Sequence, residues 1–111
     1  MVSKAVRLIG LCRRAGCVVS GDNAVKASLN RQECYMIIVA VDASDNIRRK
    51  FKAYSEEYGI PMIDISTKEE LGDALGIGDI AVLAITHRDF ARGILESVKK
   101  SGEGLPRGNH L

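Results

Sequence analysis

Two stretches of the chain, residues 35–41 and 80–85, carry no polar side chain apart from the Tyr35 hydroxyl. A strand with one wet face alternates polar and apolar residues, whereas a strand apolar throughout has to be covered on both faces. This chain must therefore supply helices to two faces of a sheet, and the remaining pattern does so. Val2, Ala5, Val6, Leu8, Ile9 and Cys12 form a helical stripe, with Lys4, Arg7 and Arg14 outside it. Ser3 is placed to cap this helix, and Gly16 ends it behind Arg13 and Arg14, whose charges suit the negative end of the dipole. Residues 17–20 read as a short strand. Gly21 then punctuates the chain, and Asp22 or Asn23 is expected to cap a second helix through Val25, Ala27, Ser28 and Leu29. Beyond the first apolar run, Ser44 caps a third helix carrying Ile47, Phe51, Tyr54 and Tyr58, and Gly59 stops it. Residues 60–65 form a strand whose early Pro61 favours a sheet edge. Thr67 and Glu70 make a capping box for a fourth helix through Leu71, Ala74 and Leu75, and residues 76–79 turn the chain. A last amphipathic helix covers residues 89–98. The reading is α/β: five helices alternating with four strands in a three-layer α/β/α sandwich, around a small, largely parallel or mixed sheet. One domain takes residues 1–100, and residues 101–111, rich in glycine and polar groups, read as a flexible tail.

At 111 residues and 46% apolar content the chain has room for one core and is too hydrophobic for disorder. No apolar run spans a bilayer, and the N-terminal residues lack the apolar block of a secretion signal, so a cytoplasmic protein without a membrane partner is expected. Cys12, Cys17 and Cys34 are odd in number and contain no C-x-x-C pair, which points to reduced thiols, no disulfide framework and no metal site. The net charge is only +2, but it is unevenly spread. Residues 1–35 hold six basic side chains against Asp22 and Glu33, whereas residues 61–85 hold Lys68 against five acidic ones. The N-terminal part would lead an approach to a polyanion.

Signatures of catalysis are sparse. There is no G-x-x-x-x-G-K-S/T loop and no G-x-S-x-G elbow. Gly76-Ile77-Gly78 follows a helix and precedes a strand, the wrong order for a dinucleotide loop. His87, after a strand, could pair with Asp42 or Asp89 as acid and base, but a polar residue in a strand-to-helix turn accounts for it as well. Neither an enzyme nor a cofactor is expected. Phe51, Tyr54 and Tyr58 share a helical face and read as core, leaving no aromatic platform for stacked bases. Any contact with RNA should then be polar. The turn around Gly21, Asp22 and Asn23 fits that role. Glycine permits close backbone approach, a helix N-terminus offers free N–H groups, and the Asn23 amide carries both a donor and an acceptor. Lys26, three residues on, can neutralise a phosphate, with Arg13 and Arg14 as flanks. A plain helix cap at Asp22 or Asn23 is the competing explanation.

The stretch Gly10-Leu11-Cys12-Arg13-Arg14-Ala15-Gly16 resembles the opening of small bacterial members of the ribosomal L-seven-Ae / L-thirty-e family. Gly21 with Asn23, the strand Ile37-Ile38-Val39-Ala40, Gly59-Ile60-Pro61, Leu71-Gly72 with Ala74 and Gly76, and Ala84-Ile85-Thr86 follow in the family's order across residues 3–98. The resemblance implies an α/β/α sandwich that binds kink-turns, sharply bent RNA loops with tandem sheared G·A pairs. In such proteins a G-x-N-E-x-x-K pattern at the start of the second helix meets the G·A pairs, and an apolar loop before the last strand covers an extruded nucleotide. Carried to this chain, Gly21 and Asn23 match, while Ile77 and Ile80 stand in the covering loop. The family's Glu and Lys positions hold Ala24 and Ala27, with Lys26 one residue early. A carboxylate lost at Ala24 removes hydrogen bonds of about 1.5–3 kcal/mol each. The expectation is a monomeric, ribosomal or ribosome-associated binder of structured RNA, with no DNA partner. The alternative is a protein-interaction or accessory domain on the same scaffold with weakened RNA recognition.

Overall fold

The computed structural model describes residues 3–102 and contains α1 (Lys4–Arg14), β1 (Val18–Ser20), α2 (Asp22–Asn30), β2 (Met36–Val39), α3 (Asp45–Tyr58), β3 (Met62–Asp64), α4 (Lys68–Leu75), β4 (Val82–Ile85) and α5 (Arg88–Ser101). The four strands lie in the order β1-β4-β2-β3. β2 pairs with β3 in parallel, while β4 runs antiparallel to both β1 and β2. Three strands thus share a direction, and the reversed β4 is inserted among them, so the sheet is mixed. The two fully apolar runs supply the central strands β2 and β4, and every residue of both is buried. The three-residue strands β1 and β3 take the edges, with Pro61 just ahead of β3. Helix α1 packs against both α4 and α5, while α2 rests on β1 and β4 and α3 on β2 and β3.

Side-chain caps hold most helices where expected. Ser3 accepts from the Val6 N–H, Ser44 from the Ile47 N–H, and Thr67 and Glu70 form the reciprocal box at α4. Gly59 ends α3 in the left-handed conformation. The last helix runs further than its sequence pattern, through Ser101 to a cap at Gly102, so the first residues assigned to a tail belong to α5. The rest of that segment, residues 103–111, lies outside the described residues. Phe51, Ile9, Leu29, Ile37, Ile38 and Leu83 are among the fully buried side chains that close the core on the two faces of the sheet.

Cys12 and Cys34 are buried and Cys17 is half-buried, all three as free thiols. Burial, assisted by the neighbouring Cys17, pushes the Cys12 thiol up to about 12, and burial likewise raises Cys34. Because a thiol raised by folding stays protonated while its unfolded counterpart ionises, stability is full below the ordinary thiol value near 9 and falls as pH rises toward about 12. Urea midpoints measured at increasing pH should therefore fall above about pH 9, and Cys12→Ser should flatten that decline. An undiminished decline in Cys12→Ser would assign it to other groups.

Candidate nucleic-acid interface

Because β1, β2 and β3 run together and β4 runs against them, the ends of three strands and the start of β4 meet at one end of the sheet. Helices α2, α3 and α4 all begin there. Short backbone bonds tie these pieces together: Gly21 N–H to Val82 O at 2.9 Å, Ala40 N–H to Ala81 O at 2.9 Å, Val41 N–H to Ser66 O at 2.8 Å and Ile80 N–H to Lys68 O at 3.0 Å. Arg48 braces the same end from α3, donating to the Asp64 carboxylate and to the Ala40 and Val41 carbonyls. Asp42 accepts from the Lys68 N–H at 2.8 Å and so helps to start α4.

The start of α2 departs from expectation. Neither Asp22 nor Asn23 caps the helix; Gly21 occupies that position, with φ 95° and ψ 157° and no side-chain cap. The cause is the bond from Gly21 to Val82, which carries the chain straight from sheet pairing into the helix. Asp22 and Asn23 are already inside the first turn, past the place from which a side chain reaches back to cap. Among the described helices α2 alone lacks a side-chain cap, and the N–H groups of Asp22, Asn23 and Ala24 have no acceptor among the described residues. Asn23 is exposed beside them. Three donors and an amide therefore face outward at the positive end of a helix dipole.

Asp22 and Lys26 do not point freely outward; they meet α3. Lys50 donates to both oxygens of the Asp22 carboxylate at 2.8 and 2.7 Å. The Lys26 ammonium lies 4.7 Å from the centroid of the Tyr54 ring, and the Tyr58 hydroxyl donates to Asn30 Oδ1 at 2.9 Å. Residues 22, 26 and 30 thus face 50, 54 and 58, one helical turn per rung, so α2 and α3 are parallel and joined as a ladder. A hydrogen bond to Tyr54, and next the charge of that phenol, raise Lys26 above the ordinary lysine value, so it stays cationic. Lys50 offsets the Asp22 carboxylate beside the open amides. Sequence reasoning missed Lys50 and Tyr54, although the matching four-residue spacing on the two helices was a usable signal. It also assigned all three α3 aromatics to the core, where only Phe51 is fully buried; Tyr54 and Tyr58 are half-exposed and serve the ladder.

Gly21, Asp22, Asn23 and Lys26 are brought together on one turn. Ile80 adjoins it through the segment leading to Val82, half-buried against the core, while Ile77 is 49% exposed. Arg13 and Arg14 lie elsewhere, in a groove between α1 and α4, where a Cβ at Gly76 would sit 3.3 Å from Arg13 Nη2. His87 caps α5, its Nδ1 accepting from the Asp89 N–H at 3.2 Å. It follows the far end of β4, so His87 and Asp42 stand at opposite ends of the sheet and form no pair. Among the described residues no cluster of His, Cys, Asp or Glu gathers as for a metal, and no helix is long and apolar enough to cross a membrane.

Comparison with known proteins agrees with this fold. The RNA-binding protein YlxQ of Enterococcus faecium is 30% identical over 96 residues, spanning 86% of this chain and 92% of that protein. Its namesake from Bacillus subtilis (strain 168) is 28% identical over 88 residues, 79% of this chain and 88% of that one. Among solved structures, a Bacillus halodurans protein of unknown function matches with a TM-score of 0.85 at 22% identity, covering 88% of this chain and 99% of its own. The Giardia lamblia 15.5kD RNA binding protein matches at 0.71 and 24% identity, over 86% and 82% of the two chains. These two structural likenesses establish the shared fold. A family model matches residues 3–95, from the cap of α1 into α5 and through every strand, and the chain belongs to the ribosomal protein L7Ae/L30e/S12e/Gadd45 family.

Proposed function

We propose that this chain is a cytoplasmic, monomeric RNA-binding protein, not an enzyme, that recognises kink-turn-like structured RNA, of ribosomal or regulatory origin, through the first turn of α2. The observation that carries the reading is the uncapped start of that helix, where the Asp22, Asn23 and Ala24 amides stand open beside the exposed Asn23. Such a group binds phosphate or a base edge without rearrangement, and the Asn23 amide reads an edge with a donor and an acceptor. The names of the curated relatives support RNA as the ligand class. Lys26, fixed over Tyr54, supplies one positive charge at a defined place, and Ile77 offers an apolar cover for a base turned out of its stack.

Titration with a kink-turn RNA, against a version whose G·A pairs are replaced by Watson–Crick pairs, tests this. Asn23→Ala should weaken binding of the kink-turn about tenfold and leave the control unchanged. Lys26→Ala should lower the salt slope by about one for both RNAs. Ala24 and Ala27, where the family pattern has Glu and Lys, favour a second reading as a protein-interaction or accessory domain with weakened RNA recognition. Equal affinity for the two RNAs would favour that reading and end the claim of kink-turn specificity.

A further inference from the structure

The basic residues of α1 take no part in the α2 turn. Lys4, Arg7, Arg13 and Arg14 are exposed, and none forms an ion pair among the described residues. Lys4, Arg7, Leu11 and Arg14 follow one another at intervals of three, four and three residues, which sets them in one row along the helix. The row borders an open groove of about 630 Å³ between α1 and α4, which also takes in Leu8 and Ala74. Among the described residues Asp73 is the only carboxylate on its walls. Leu11, in the middle of the row, is 49% exposed, among the largest apolar exposures in the protein.

The geometry points to this groove as a docking site for an acidic segment of another protein that carries apolar side chains among its carboxylates. Charge complementarity selects an anionic partner, since four unpaired cations surround one carboxylate. The apolar floor then decides between anions. A phosphate backbone would satisfy the arginines but would lay charge across Leu8 and Leu11, which offer it no hydrogen bond. An acidic amphipathic segment satisfies both parts, seating an apolar residue on Leu11 within a charged rim. Helix α1 packs on α4 and α5 while α2 packs on β1 and β4, and no α2 residue lines the groove, so it is separate from the turn proposed to meet RNA and the two can be filled together.

The test is an NMR titration of the isotopically labelled full chain with three probes. The first is a synthetic peptide with leucines at helical spacing among glutamates. The second is the same peptide with serine for leucine, and the third a straight RNA duplex. The leucine peptide should shift the amides of Leu8, Leu11, Arg14 and Ala74 and leave Asn23 unmoved. Leu11→Ala should weaken it about tenfold while affinity for kink-turn RNA stays within about twofold, and Arg7→Glu combined with Arg14→Glu should weaken the peptide about thirtyfold. These side chains are exposed, so the variants should remain folded, which the spectra themselves verify. Equal binding of the serine peptide, stronger shifts of the same amides by the duplex, or no shift at millimolar peptide would each overturn the proposal. Loss of kink-turn binding alone would bear only on the α2 site.

Discussion

Gly72→Ala is expected to destabilise the fold by about 3 kcal/mol and to lower the thermal midpoint by about 15 °C. The sign is the informative part. In an open helix, alanine in place of glycine stabilises by about 0.5–1 kcal/mol. Gly72 sits in α4 facing the returning segment, and an added Cβ would lie 2.3 Å from Gly78 O, 2.8 Å from its carbonyl carbon and 3.0 Å from Ile77 O. All three are backbone atoms, so no side chain can turn aside to make room. The segment has to move, and with it the bond from Ile77 N–H to Gly72 O and the exposed Ile77 side chain. Gly93→Ala in α5 is the matched control, since nothing lies within 4 Å of the Cβ it would add. Calorimetry should show opposite shifts for the two variants. If Gly72→Ala melts at or above the parent temperature, the close approach of α4 to residues 77–78 is not a feature of the molecule in solution. If it melts low yet binds kink-turn RNA as the parent does, Ile77 has no part in recognition.

The contrast between those glycines indicates how far the sequence could be read. Everything governed by nearest neighbours was legible. The two apolar runs announced the central strands, Pro61 announced an edge, and Ser3, Ser44 and the Thr67–Glu70 pair marked where helices start. These features depend on residues within one turn or one strand. What stayed hidden depends on residues distant in the chain. Nothing local in Leu71-Gly72-Asp73 says that Gly72 will meet the carbonyl of Gly78. Likewise, Asp22 beside a helix start looks like a cap until the bond from Gly21 to Val82, across the sheet, removes the position it would cap from. The insertion of β4 between β1 and β2 is of the same kind. It is the arrangement that brings the start of α2 to the segment after α4, so the candidate site is itself a long-range product.

On the proposed reading, the α2–α3 ladder readies that placement for recognition. Exposed ion pairs add little to stability, commonly under about 1 kcal/mol, so the Asp22–Lys50 rung is better understood by where it puts charge. A free Asp22 carboxylate at the mouth of three open amides would compete with phosphate for them. Held by Lys50, it is turned toward α3 and neutralised. The Lys26 rung acts in the same direction, keeping an ammonium on a short arc over Tyr54, which would lower the entropy lost in the proposed contact with a phosphate.

Gly21→Ala should have the largest effect on RNA binding, a loss of about a hundredfold in affinity for kink-turn RNA, with about 1–3 kcal/mol of fold stability. With φ 95° and ψ 157°, Gly21 stands in a backbone region that residues with a Cβ scarcely enter. The space around it is open, with nothing within 4 Å of an added Cβ, so the cost is conformational and not steric. Alanine can relieve it by rotating the peptide units on either side. That rotation breaks the alignment of Gly21 N–H with Val82 O and swings the following amides, those of Asp22, Asn23 and Ala24, away from their shared direction. Donors that must converge on one acceptor site lose most of their value when misdirected, because hydrogen bonds weaken steeply with angle. Asn23→Ala removes one side chain and leaves the amides aligned, so its smaller loss is the reference. Fluorescence titration of both variants, with melting curves taken in parallel, separates the outcomes. A Gly21→Ala protein that folds and binds within about threefold of the parent would mean that the backbone donors of α2 do not carry recognition.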